Sequence, residues 1–150
     1  MIGRRFVVVA ALSAGLSPLP ALAESGTYVP YSGIIHGTEG ADPVELSIVN
    51  GTGVSLDCEA ALAHWYSDEL GHIAPSEELT LTLWHDPETG VLNLMNTTND
   101  RMPVEALWCS TNAARVRLDL PIAAGKMEAT LRFYCRAGGD GELSCEAAGG

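Results

Sequence analysis

Three histidines, His64, His72 and His85, and four cysteines, Cys58, Cys109, Cys135 and Cys145, hold most of the chemical potential of this sequence. Imidazole is a ligand for copper or zinc, and Asp68, Asp86 or Met95 would complete a shell if a loop gathered the three rings. Their spacing does not demand it. His64 and His72 are eight residues apart, and neither a His-x-His nor a His-Glu-x-x-His unit is present. A periplasmic copper or zinc protein using His64, His72 and His85 is therefore the alternative reading. The leading one leaves these rings at strand ends, with no cofactor.

Thiolate metal sites and redox centres favour cysteines two residues apart, and no such pair exists here. Disulfides are the expectation, and they remove any cysteine nucleophile. Four cysteines allow three pairings. Cys135 and Cys145 flank a glycine-rich turn and can face each other across a terminal hairpin, which leaves Cys58 for Cys109.

Trp65, Tyr66, Trp84 and Trp108 are the candidates for binding. Trp84 alternates with Leu79, Leu81 and Leu83, and Trp108 with Leu107 and Cys109, so a leucine-facing core would turn both indoles outward as a platform for a glycan or a protein. A sandwich that buries both faces would instead take them into its core. The acidic pairs Asp68-Glu69 and Glu77-Glu78 read as solvated loop residues rather than as a general acid and base. No nucleophile elbow, phosphate loop or dinucleotide fingerprint is present, and enzymatic activity is not expected. Gly138-Gly139-Asp140-Gly141-Glu142 is a single copy of a pattern that binds calcium only in stacked repeats, and reads as a flexible turn.

The compartment follows from the first residues. Arg4 and Arg5 precede an apolar run from Phe6 to Leu16, and Ala21-Leu22-Ala23 has the small residues a signal peptidase needs. Residues 1–23 read as a signal peptide and 24–150 as one β-rich periplasmic or secreted domain. The apolar run is about half the roughly 20 residues that cross a bilayer, so no membrane insertion is expected after cleavage. Arg4-Arg5-Phe6-Val7-Val8 also resembles a twin-arginine export signal, which leaves the export route open.

Charge narrows the partners. The chain carries 19 acidic and 8 basic residues, a net charge of −11, and loses two of the arginines with the signal. Long-range repulsion disfavours nucleic acid and anionic lipid surfaces. A protein or glycan of the cell envelope remains.

The elements that must position these groups are strands. Val44, Leu46 and Ile48 alternate with polar residues, Asn50-Gly51-Thr52-Gly53 follows, and Val54, Leu56 and Cys58 resume the alternation, which reads as a hairpin. Leu79 to Leu83, a turn at Asp86-Pro87-Glu88-Thr89-Gly90, and Val91 to Met95 read as a second. Residues 104–109, 115–122 and 127–136 read as further strands between turn residues. Residues 60–70 contain good helix formers yet are short and end at Gly71, which suits either a helical turn or a strand entering a loop. The fold expected is all-β and mainly antiparallel: a small sandwich or barrel of about seven or eight strands with at most one short helix, stabilised by disulfides. The function expected is a non-enzymatic binding or accessory protein, with an inhibitor of a basic hydrolase as one concrete form.

Overall fold

Alternation of apolar and polar side chains with a period of two runs through most of the chain, and the computed structural model turns it into nine strands across the described residues, 33–149. The signal-like segment 1–23 and the following residues to 32 lie outside them, as does Gly150. In chain order the strands are β1 (Asp42–Asn50), β2 (Leu56–Leu62), β3 (Tyr66–Ile73), β4 (Glu78–His85), β5 (Leu92–Met95), β6 (Arg101–Ser110), β7 (Arg115–Leu118), β8 (Thr130–Ala137) and β9 (Leu143–Ala147). They pair in the order β3-β2-β6-β5-β4-β1-β8-β9, with β7 added to β6, as one open sheet. Every pair is antiparallel except β1 with β8. The fold is all-β, mostly antiparallel and disulfide-bonded, and no α-helix occurs among the described residues.

Strand β6 is what gives the sheet two wings. Its first residues, Arg101 to Pro103, pair with β5, whereas residues from Val104 onward pair with β2 on one edge and, from Leu107, with β7 on the other. Side chains from both wings then share one core. Leu46, Ile48, Leu83 and Phe133 come from one wing and Leu56, Ala60, Leu107 and Leu118 from the other, all essentially inaccessible to solvent. Burying each large apolar side chain of this kind stabilises the fold by roughly 1.5–3 kcal/mol.

The expected hairpin between the first two strands does not form. β1 pairs with β4 and β8, β2 pairs with β3 and β6, and neither Gly51 nor Gly53 has a positive φ. The intervening residues form a crossover pinned by Asn50. Its buried amide nitrogen donates to the carbonyls of Val54 (2.8 Å) and Ile73 (2.9 Å), and its oxygen accepts from the Thr52 amide (2.9 Å) and hydroxyl (2.7 Å). Both donors and both acceptor sites are thereby used, so this polar side chain can stand in the core. Gly51 completes the crossover by its size, since a Cβ there would lie 2.8 Å from the carbonyl oxygen of Cys135.

The second hairpin, β4 to β5, is present, with Gly90 at φ 79° closing its turn. Residues 60–70 resolve into the end of β2, a 3-10 turn at Ala63–Trp65, and β3, which is the strand that the count of seven or eight omits. Strand β7 stops at Leu118, four residues short of the expected end, and β8 starts at Thr130 rather than at 127. Both disulfides join directly opposed residues: Cys58 to Cys109 across β2 and β6, and Cys135 to Cys145 across β8 and β9.

Candidate functional site

The 3-10 turn at Ala63–Trp65 carries the most conspicuous side chain of the molecule. Trp65 is fully exposed, at 101% of its reference area, and its backbone sits in the left-handed region at φ 68°. A residue other than glycine costs about 1–3 kcal/mol there. Tyr66 follows in extended conformation and is 62% exposed. An indole that large, held in water by an unfavourable backbone angle, gives no packing energy to the fold.

Beside this turn opens a groove of about 550 Å³. Its apolar walls include Ile34, Leu62, Leu94, Met95, Met102 and Pro103, and its polar margin includes Tyr66, Asp68, Asn96 and Asp100. Register explains the position of Asp68. It stands opposite Ala60, and Tyr66 opposite Leu62, so both project from the same face of the wing as two core residues. Asp68 is nevertheless exposed, because the groove opens there. Among the described residues no cationic side chain lies within ion-pair distance of Asp68 or Glu69.

One wall of the groove is held by Arg101, which is only 7% exposed. Its guanidinium donates to the carbonyls of Gly37 (2.7 Å) and Glu39 (2.5 Å), while its own amide donates to the carbonyl of Ile35 (2.8 Å). Next to it, Asp100 accepts from the hydroxyl of Thr98 and the amide of Asn96 and meets Nδ1 of His36. These bonds, led by that from Thr98, hold the Asp100 carboxyl below the usual carboxylate range. The segment 33–40 is thus clamped against the loop before β6. Neither Arg101 nor Asp100 carries a signal in the sequence, because their partners are backbone groups some 60 residues away or side chains of an ordinary polar turn.

His72 and His85 are not brought together. His72 lies near the end of β3 and bonds Asp57 at 2.7 Å on the surface. His85 lies at the far end of β4, seven residues beyond Glu78, or about 24 Å of strand. It is wholly buried, its Nε2 donates to the carbonyl of Ala123 at 2.9 Å, and its Nδ1 has no hydrogen-bond partner among the described residues. His64 is in the 3-10 turn. Among the described residues, the only three ligand-type groups with atoms close enough to share an ion are Cys109, Cys135 and Cys145. All three are tied up in disulfides and present no thiolate.

Trp84 and Trp108 do turn away from the leucine core and are half-buried, but they form no common platform. Register sets Trp84 level with Asn93 and Pro103, and Trp108 is five residues further along β6, about 17 Å away. Two arginines of β7 cover Trp108: Arg115 stands 4.5 Å and Arg117 5.9 Å from its ring centre. That stacking satisfies the ring internally. The acidic pairs are also separated in role, since Glu78 accepts from Arg132 (2.8 Å) and Ser47 (3.2 Å). Of the aromatic candidates, Tyr66 lines the groove, and Trp65, the residue before it, is fully exposed.

No protein-family model matches this chain, and no curated protein matches it. An NMR structure of a protein from Eubacterium rectale is similar over 75% of this chain and 94% of that one, at 7% identity and a TM-score of 0.44.

Proposed function

We propose that this protein is a non-enzymatic binding module of the periplasm or the secreted fraction, and that Trp65 and Tyr66 anchor a protein partner beside the groove. The observation that carries the reading is Trp65 itself, fully solvated and held in a strained backbone conformation. Strain of this kind is tolerated where it positions a functional group. Tryptophan and tyrosine also supply more binding energy at interfaces than most side chains.

The compartment fits that role. Two disulfides point to an oxidising extracellular or periplasmic environment, and no helix among the described residues is long and apolar enough to cross a membrane. The signal-like residues 1–23 supply the route, and the acidic surface would steer a basic partner, such as a cationic hydrolase to be inhibited.

The test is retention of an envelope protein on immobilised protein, compared with Trp65→Ala and Tyr66→Ala. A single partner retained by the native chain, and about tenfold more weakly by each variant, supports the reading. Equal retention by all three would refute it.

A further inference from the structure

We infer that the groove takes a lysine or arginine side chain from an extended segment of the partner, which adds as a strand to the free edge of β3. This rests on the binding-module reading and names the chemistry that its site recognises. β3 ends the sheet order, so among the described residues its outer edge has no strand paired to it. Unpaired N–H and C=O groups along an edge are a template for a further strand. The usable part is Tyr66 to Glu69. Beyond it, Cys58 pairs with Gly71 and Glu59 with Glu69, so Leu70 is an extra residue and the edge is bent.

The charge pattern selects the occupant. Asp68 has no cation at ion-pair distance among the described residues, and the guanidinium of the lining Arg101 is committed to the carbonyls of Gly37 and Glu39. The groove therefore matches a long basic side chain, whose methylene stem can lie on Leu62, Leu94 and Met102 while its charged head reaches Asp68. Tyr66 at the mouth offers a ring face to the same cation. Glu69, projecting from the other side of β3, lines a second cavity of about 420 Å³ in which Asp57 is already paired with His72 and Glu59 with Arg115. Glu69 is thus the acid there without an ion-pair partner among the described residues. Alternate residues of an added strand point to opposite faces, so basic side chains at both would meet acid. An acidic or neutral strand would find no such match.

A strand-length peptide alternating valine and lysine, capped at both ends, is the probe, with valine-glutamate and valine-serine peptides as controls. Binding would be followed by amide shifts of Tyr66 to Glu69. The expected result is binding of the lysine peptide alone, weakened about tenfold by Asp68→Asn, a surface change that leaves the fold intact by near-ultraviolet dichroism. Equal binding of the three peptides, or no effect of Asp68→Asn, would overturn the inference. So would binding that appears only after residues 24–32 are removed, because the chain's own leading segment would then be the occupant. Partner retention that depends on Trp65 but not on Asp68 would overturn this inference and leave the binding-module reading standing.

Discussion

The sulfur of Cys109 lies within 4.8 Å of those of both Cys135 and Cys145. The bridge that ties β2 to β6 therefore packs against the bridge that ties β8 to β9, in the core shared by both wings. By chain entropy, closing 51 residues contributes about 4 kcal/mol and closing 10 residues about 3 kcal/mol. Their adjacency also fixes what happens when one bridge is broken.

Cys58→Ser should release Cys109 as a thiol beside an intact disulfide. Its thiolate can attack Cys135 or Cys145, forming a new bridge and expelling the other sulfur as thiolate, with no net oxidation. Peptide mapping without reduction should then find Cys109 linked to Cys135 or Cys145 in part of the refolded material. Recovery of only the native Cys135–Cys145 peptide, with Cys109 free, would show that the core holds the sulfurs apart. The double variant Cys58→Ser, Cys109→Ser should show no such mixture and should lose about 4 kcal/mol of stability.

The strands were legible from local pattern, and the cysteine pairing because one pair flanks a turn and leaves the other two for each other. Val44, Leu46 and Ile48 alternate along the chain, and Cys135 and Cys145 flank a turn. The pairing of β1 was not legible, because Asn50 and Gly51 look like a hairpin turn while making their decisive bonds to Ile73 and Cys135. The groove was illegible for the same reason. It is assembled from the start of the described chain, β2, β3, β5 and β6, and the bonds of Arg101 to backbone carbonyls leave no trace in residue type. Trp65 and Tyr66 could be chosen by composition, but their exposure depends on a turn that the helix formers of residues 60–70 conceal.

Arg101→Met should loosen the wall of the groove without unfolding the core. It removes two charge-assisted bonds and leaves the carbonyls of Gly37 and Glu39 unpaired, a loss of about 2–4 kcal/mol by the usual range for such bonds. Amide exchange should accelerate at Gly37 and Ala41 while that at Leu46 and Phe133 follows global stability. Arg101→Lys should recover little, since an ammonium lacks the planar fork that reaches both carbonyls.

Acid should destabilise the protein in part through two turn carboxylates. Asp86 is held below its ordinary value of 3.8, first by the amide of Glu88 and then by that of Thr89, and Asp100 is held below 3.8 by Thr98 and Asn96. A carboxylate depressed in the folded state contributes stability that is fully present above 3.8 and disappears as the pH falls through the lowered folded value. Urea midpoints should therefore decline below about pH 4. Asp86→Asn and Asp100→Asn should each start lower at neutral pH and show a shallower decline, whereas an unchanged acid slope in both would locate the loss elsewhere.

Replacing Trp65 should separate stability from recognition. The indole is wholly solvated, so its removal forfeits no buried area, while a glycine adopts φ 68° without steric cost. Trp65→Gly should therefore raise the unfolding free energy by about 0.5–1 kcal/mol, once the extra freedom of glycine in the unfolded chain is subtracted. Trp65→Ala keeps the strained angle and should leave stability nearly unchanged. Both variants should lose the partner to a similar degree. A stabilised Trp65→Gly protein that retained full binding would mean that the exposed indole serves neither the fold nor its partner, and would remove the anchor on which the proposed function depends.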